Sequence, residues 1–143
     1  MKLSGRNKMK KPWTKVPESD NETYLVEAVK DIGGECIKGN AHNSRGMPDR
    51  IAILPKGLVV FIEVKRPGLK PRPNQRVRIK RFRKMGHTAV YVNTYGMIDA
   101  LIRWMQRQMA DRRVVGTEQV CNRMTCNERI TIPWKEHVSK LYT

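Results

Sequence analysis

The sequence is short of acidic residues, and this shortage limits what the chain can bind. Only 13 Asp and Glu stand against 29 Lys and Arg in 143 residues, which leaves a formal net charge of +16. A positive field of this size favours a polyanionic partner, of which nucleic acid is the usual one. We therefore expect DNA or RNA as the partner, with an anionic membrane surface as the competing interpretation.

Long apolar runs are also missing. No stretch approaches the roughly 18 apolar residues that a membrane span needs, and there is no lipidation motif. The N-terminal sequence MKLSGRNKMKKPWTK is basic but lacks the apolar core of a signal peptide. Three cysteines, an odd number without an export signal, indicate a reducing compartment. These absences predict an intracellular (cytoplasmic) protein that does not bind a membrane.

The length suits one domain with a single core and two different ends. Residues 1–17 contain six Lys or Arg and no acid, so we expect a basic N-terminal arm. Residues 18–110 carry the regular patterns of a folded domain, and residues 111–143 form a polar C-terminal extension. A zinc site with Cys121, Cys126 and His137 is a weak alternative there, because the spacing is loose and a fourth ligand is missing.

Helix and strand patterns alternate along residues 18–110. An apolar stripe at Leu25, Val26, Val29 and Ile32 predicts a first helix that ends at Gly33. The predicted elements after it are a short strand at 35–38, strands at 50–54 and 58–64, a helix at 74–85, a strand at 87–92 and a helix at 97–109. The order predicts an α/β fold with an αβββαβα core, in which a mixed central sheet is flanked by helices. The two central strands are apolar at nearly every position, so we expect both of their faces to be covered.

Charged residues stand at the two ends of the most apolar segment, GMPDRIAILPKGLVVFIEVK (residues 46–65). Its middle, Pro55-Lys56-Gly57, predicts a hairpin turn with a three-residue loop. If Leu54 pairs with Leu58 across that loop, the residue numbers of opposite positions have a constant sum. The hairpin therefore brings the two charged ends of the segment together.

In this register Asp49 faces Glu63, and the alternation of strand side chains places Lys65 on the same face. Two opposed carboxylates repel each other, and a divalent cation between them would relieve the repulsion. Taken singly, the residues have ordinary explanations: Asp49 as a turn residue, and Glu63 and Lys65 as the polar end of a strand. Together they predict a site for a hard cation.

The order of these residues resembles the PD-(D/E)xK nuclease superfamily, and within it the VRR-NUC family. That family has a Glu on its first helix, a GxPD turn, a hairpin that closes with ExK, and a Gln that opens the next helix. The corresponding residues are Glu22, Gly46 to Asp49, Glu63 to Lys65, and Gln75. The resemblance covers about residues 19–105 and implies a restriction-endonuclease-like fold. It is closest to the stand-alone phage and bacterial type, which implies a nucleoid or an infected host cell as the setting.

The resemblance also implies a magnesium site, in which manganese could substitute. Its ligands would be Asp49, Glu63 and the backbone carbonyl of Val64, with Glu22 close by. Oxygen-only ligation suits Mg²⁺, and the bound cation would lower the pKa of a water. Lys65 would orient or activate that water, since its ammonium is a compact point charge.

The first helix offers more than one acidic residue for this role. Glu22 also fits a capping box with Ser19, and Glu18 and Glu27 are alternative ligands. Gln75 completes the implied catalytic group, and its spacing on the basic helix points it towards the sheet.

Between residues 65 and 84 there are ten Lys or Arg and no acid. We expect this stretch and the preceding loop to contact DNA phosphates, with an affinity that falls steeply with salt. The predicted contacts are Arg45, Arg66, Lys70, Arg72, Arg76, Arg78, Lys80, Arg83 and Lys84.

The leading hypothesis is therefore a metal-dependent endonuclease that hydrolyses phosphodiester bonds in branched DNA of the Holliday-junction type. Relatives of this size resemble junction resolvases that act as homodimers, and two symmetric cuts in a junction call for such a dimer. One alternative keeps the fold but changes the substrate to flaps, forks or linear duplex. The other is a nucleic-acid-binding module without catalytic activity.

Overall fold

A computed structural model describes residues 16–40 and 44–112 of the chain. The predicted basic arm lies almost wholly outside the described residues. The predicted C-terminal extension, with Cys121, Cys126 and His137, lies outside them from residue 113 onwards. No helix in the described part of the chain is long and apolar enough to cross a membrane.

Within these residues, three helices and four strands follow one another in the predicted order. They are α1 (Glu18–Asp31), β1 (Glu35–Lys38), β2 (Arg50–Leu54), β3 (Leu58–Val64), α2 (Pro73–Lys84), β4 (Thr88–Val92) and α3 (Tyr95–Asp111). The sheet order is β1-β2-β3-β4. The first three strands are antiparallel, and β4 runs parallel to β3. The predicted α/β fold with a mixed sheet and flanking helices is confirmed.

The hairpin of β2 and β3 has the register that the sequence predicts. Leu54 pairs with Leu58, and at the other end Arg50 pairs with Ile62. The connection Pro55–Gly57 forms one 3-10 turn, in which Lys56 has a φ of 61° and Gly57 a φ of 72°. Two consecutive left-handed residues turn the chain tightly enough to pair the strands without a bulge.

One face of the sheet packs against α1 and α3 and forms the core. Apolar side chains alternate along β3 towards this face, where helix residues at spacings of three and four meet them. The fully buried side chains of this core include Leu25 and Val29 of α1, Val60, Ile62 and Val64 of β3, and Ile98 and Met105 of α3.

The start of α1 differs from the sequence prediction. The helix begins at Glu18, with Pro17 as its N-cap and without a side-chain cap. Ser19 therefore lies inside the first turn, where its carbonyl accepts a hydrogen bond from the Thr23 hydroxyl. The capping box of Ser19 and Glu22 is wrong, because the helix starts two residues earlier than that box requires.

The other face of the sheet is covered only in part. The 12-residue helix α2 packs its Phe82 on Phe61 of β3, with ring centroids 4.5 Å apart. Its apolar contacts lie on the β3–β4 side of the sheet. On β1, β2 and β3 the side chains of Ile37, Ile53 and Val59 are exposed among the described residues. The prediction that both hairpin strands are covered on both faces is therefore wrong.

Candidate active site

At the open end of the hairpin, the start of β2 lies beside the end of β3, and a carboxylate occupies the position just before β2. Asp49 lies there, and its Oδ2 accepts a hydrogen bond from the backbone N–H of Val64 at 3.0 Å. This contact continues the hairpin register by one step and places the Asp49 carboxylate beside Glu63. The neighbourhood of Asp49 and Glu63 thus follows from the pairing of Leu54 with Leu58 at the other end.

Lys65 stands among the oxygens of this group. Its Nζ contacts Glu63 Oε1, donates to the carbonyl of Val64 at 3.0 Å, and lies 3.7 Å from Asp49 Oδ2. A third carboxylate, Glu18 Oε1 at the start of α1, lies 4.0 Å away. One ammonium is therefore surrounded by three carboxylates and a carbonyl, which leaves an excess of negative charge.

Burial gives Glu63 an unusual ionisation. Its side chain is fully buried, and this burial raises the pKa of Glu63 from its ordinary 4.5 to about 7. The hydrogen bond from Lys65 opposes that rise, while the negative charge of Asp49 adds to it. Burial alone would lower the pKa of Lys65, but the hydrogen bond to Glu63 and the nearby carboxylates of Asp49 and Glu18 raise it. Lys65 is therefore a cation at neutral pH.

Gln75 connects α2 to Glu63, as its position at the start of the basic helix predicts. Its Nε2 donates to Glu63 Oε1, and its own Oε1 accepts from the backbone N–H of Arg72 at 2.8 Å. The amide group is thereby fixed at both ends. Gln75 and Lys65 share one oxygen of Glu63 and leave the other to a further partner.

The turn before Asp49 is packed against the first turn of α2. Gly46 has a φ of +79°, and a Cβ at this position would lie 2.7 Å from the backbone oxygen of Asn74. From the next turn of α2, Arg78 Nη2 donates to the carbonyl of Arg45 at 3.0 Å and binds the same loop. The glycine of the GxPD pattern is thus required by backbone conformation and by close packing together.

Glu22 forms an ion pair with Arg50 of β2. Its Oε2 accepts from Arg50 Nε at 3.0 Å and from Nη2 at 2.7 Å. Arg50 pairs with Ile62 in the sheet, so its side chain points to the opposite face from Glu63. Of the acidic residues on α1, it is Glu18 that the structure brings to Lys65.

The oxygens at the end of the hairpin suit a divalent cation. No three His, Cys, Asp or Glu side chains within residues 16–40 and 44–112 converge on a metal position. However, Mg²⁺ is commonly bound through one or two carboxylates, with waters and phosphate completing its shell. Asp49, Glu63 and the Val64 carbonyl provide such a set. Glu63 Oε2 is buried and has no hydrogen-bond partner among the described residues, which is costly unless another ligand uses it.

The predicted phosphate contacts divide into two groups. Arg83 and Arg78 donate to backbone carbonyls. Arg83 Nε binds the oxygen of Ala89 at 2.7 Å, and Arg78 Nη2 binds that of Arg45 at 3.0 Å. Most of the others are exposed on the connection before α2 or on the outer side of that helix: Arg66, Lys70, Arg72, Arg76, Lys80 and Lys84. Arg45 is also exposed.

Sequence reasoning missed Asn21. It is buried in α1, and its Nδ2 donates to the carbonyls of Lys65 and Asn93. One signal was present, because Asn21 lies four residues before Leu25 on the buried stripe of the helix. A polar residue on such a stripe usually has a specific hydrogen-bond partner.

The αβββαβα fold, with two carboxylates and a lysine at the end of its hairpin, defines the chain as a nuclease-type α/β domain. A solved VRR_NUC domain has 32% sequence identity and a TM-score of 0.58, and the match covers 62% of this chain and 97% of that domain. A protein of Acyrthosiphon pisum secondary endosymbiont phage 1, named "Putative nuclease p44", is 35% identical over 86 residues. That match covers 60% of this chain and 92% of the phage protein. No protein-family profile matches the sequence.

With this identity over nearly the whole length of both relatives, the chain belongs to the VRR-NUC family of nucleases.

Proposed function

We propose that this protein is a magnesium-dependent endonuclease that cuts branched DNA of the Holliday-junction type. The observation that carries the proposal is the group formed by Asp49, Glu63 and Lys65, in which buried Glu63 Oε2 has no hydrogen-bond partner within residues 16–40 and 44–112. A protein that only bound DNA would gain nothing from opposed carboxylates beside its binding surface, since they repel phosphate.

Asp49, Glu63 and the carbonyl of Val64 would hold Mg²⁺ or Mn²⁺. The cation would supply an activated water at neutral pH and stabilise the negative charge that develops on the phosphate. Gln75 keeps Glu63 in place by binding the oxygen that faces α2, so that Oε2 remains for the cation. Glu18, whose Oε1 lies 4.0 Å from Lys65 Nζ, would be the α1 carboxylate that assists.

Lys65 would orient the attacking water and donate to a phosphate oxygen. Its ammonium is held between Glu63 Oε1 and the Val64 carbonyl, and its side chain is only 11% exposed. Such a restrained position reduces the cost of aligning the reacting groups. The raised pKa of Lys65 keeps the donor charged across the neutral range.

The exposed basic residues beside the site would bind the DNA backbone. Arg66 and Lys70 follow β3 directly, and Arg76, Lys80 and Lys84 lie on the outer side of α2. Contacts of this kind give affinity without base specificity. Recognition of branched DNA by shape therefore fits this surface, and a homodimer with two-fold symmetry would place one site on each cut strand.

The test is a panel of labelled substrates with the same sequence arms: four-way junctions, flaps, forks and linear duplexes. We expect cleavage of the junction with Mg²⁺ and none with EDTA. Asp49→Asn, which keeps the side-chain shape, should lower the rate by at least about 100-fold, the usual loss on removing a group that stabilises the transition state. Thr23→Ala, on the exposed side of α1, is the matched control and should cleave normally.

Cleavage confined to flaps, forks or linear duplex would overturn the junction assignment but keep the nuclease. Binding to DNA without metal-dependent cleavage of any substrate would overturn the catalytic function itself. Light scattering with and without junction DNA tests the dimer, and a monomer under both conditions would contradict it.

A further inference from the structure

Asn21 is a buried polar residue whose hydrogen bonds all run to the neighbourhood of the active site. Its side chain is 1% exposed. Its Nδ2 donates to the carbonyl of Lys65 at 2.8 Å and to that of Asn93 at 3.1 Å. One amide group on α1 therefore binds the chain just beyond the ends of two parallel strands.

These bonds take over where the pairing of β3 with β4 stops. The last backbone bond between the two strands runs from the N–H of Lys65 to the carbonyl of Val92 at 2.9 Å. Beyond that point Asn21 joins the segments that follow β3 and β4. Asn93 Nδ2 continues the connection by donating to the carbonyl of Leu69 at 3.0 Å. The backbone of Lys65 is thus bound on both sides.

Asn21 also lies where α1 meets the site. Glu18 lies three residues earlier and therefore on the same side of the helix. Asn21 binds this turn of α1 to the end of β3, and on the same turn Glu18 Oε1 lies 4.0 Å from Lys65 Nζ. Asn21 therefore lies beside both charged groups.

The oxygen of the Asn21 amide, unlike its nitrogen, does not stabilise the fold through a hydrogen bond to any described residue. Asn21 Oδ1 is buried and has no hydrogen-bond partner among the described residues, which lowers the stability of the fold. An apolar residue of the same size would avoid that cost. The donor half of the amide is directed at the carbonyl of Lys65, which indicates that Asn21 serves the site.

We propose that Asn21 is a positioning residue for the reaction, which holds the backbone of Lys65 and the carboxylate of Glu18 in their working places. This inference rests on the proposed nuclease function. It assigns Asn21 no contact with DNA, so its replacement should affect the cleavage step and leave substrate binding alone.

The experiment compares Asn21→Leu with wild type and with Thr23→Ala. The single-turnover cleavage rate is measured with DNA already bound, and the Kd for the same DNA is measured in EDTA. We expect the rate to fall about 10- to 100-fold, the range seen when groups that orient a reactive residue are removed. The Kd should stay within about twofold, since no phosphate contact is lost.

A second measurement separates positioning from general loss of structure. In a Glu18→Gln background, Asn21→Leu should cost clearly less than it does alone, because both changes disturb the same arrangement. Fully multiplicative losses would overturn the proposal. If Asn21→Leu does not fold, Asn21→Ala replaces it, and a folded Ala variant with the wild-type rate would likewise overturn it.

The controls keep this outcome apart from that of the proposed function. If wild type and Thr23→Ala cleave while Asp49→Asn does not, the nuclease function stands, and an undiminished rate in the Asn21 variants refutes the positioning role alone. If wild type cleaves no substrate, the proposed function fails and this inference falls with it.

Discussion

Two clusters of charged side chains lie on opposite faces of the same hairpin, and they are built differently. On the α1 face, Glu22 meets Arg50 through two hydrogen bonds to one oxygen, so one carboxylate is matched by one guanidinium. On the other face, the single ammonium of Lys65 is shared by Asp49, Glu63 and Glu18. The first cluster is balanced and the second carries excess negative charge.

The difference separates a structural ion pair from a functional site. A partly buried pair with matched charges and two hydrogen bonds needs no further ligand. In the cluster at Lys65, one buried oxygen of Glu63 has no hydrogen-bond partner in the described part of the chain, and the pKa of this same carboxyl group is raised to about 7. Groups perturbed in this way are common at catalytic sites, and a divalent cation would neutralise the excess charge.

The largest expected effect comes from removing one carboxylate from each cluster. Glu63→Gln should lower the cleavage rate by at least about 100-fold, because it removes a cation ligand. Glu22→Gln should leave the rate within about threefold but destabilise the fold by about 1–3 kcal/mol, because Arg50 is left partly buried with a weaker partner. Single-turnover cleavage and urea denaturation of both variants measure the two effects.

The same two variants can also contradict the distinction between a structural ion pair and a functional site. If Glu22→Gln folds with unchanged stability and loses cleavage, Glu22 belongs to the reacting group, as the family resemblance implies. Equal losses of stability in the two variants would show that the cluster at Lys65 is a structural one.

The next effect concerns pH. In the absence of metal, the pKa of Glu63 is about 7 in the folded chain against an ordinary 4.5, so the unfolded chain binds fewer protons between these values. The free energy of unfolding should therefore fall as pH rises through this window. One pKa unit corresponds to about 1.4 kcal/mol, so the difference between 4.5 and about 7 sets an upper limit of about 3.5 kcal/mol for this group.

Urea denaturation in EDTA at several pH values measures that fall, and Glu63→Gln serves as its control. The slope should be smaller in the variant, since the carboxyl group is gone. Mg²⁺ at 100 times its Kd should restore about 2.7 kcal/mol at the upper end of the range. A stability that rises from pH 4.5 to 7 in wild type but not in the variant would contradict the assigned burial of Glu63.

The hairpin shows what the sequence could predict. Pro55-Lys56-Gly57 determines the turn and the apolar strands determine the pairing, so the neighbourhood of Asp49 and Glu63 follows by counting. The sequence determines less well which side chain of a helix reaches the site. Glu18 and Glu22 are four residues apart and share one side of α1, and the choice between them depends on Arg50, which binds Glu22 from the strand.

Other features depend on tertiary packing that no local pattern contains. The exposure of Ile37, Ile53 and Val59 follows from the position of α2 along β3 and β4, and an apolar strand looks the same in sequence whether one face or two are covered. The carbonyls that Asn21 binds lie 44 and 72 residues away along the chain. Only the fold brings them together.

The smallest expected effect extends the comparison to α2, where two arginines can be matched. Both Arg76 and Arg83 are exposed, but Arg83 Nε donates to the carbonyl of Ala89 at 2.7 Å. Arg76→Gln should reduce the salt dependence of duplex binding by about 0.9 in the log–log slope, the value for one lost phosphate contact.

Arg83→Gln is the matched control for Arg76→Gln, because it removes the same charge from the same helix. It should leave the salt slope nearly unchanged and lower the free energy of unfolding by about 1 kcal/mol, since it loses one hydrogen bond to the sheet. Fluorescence anisotropy across a salt series measures both slopes. Equal reductions in the two variants would mean that Arg83 leaves Ala89 to bind DNA, and that an existing hydrogen bond does not mark a cation as structural in this protein.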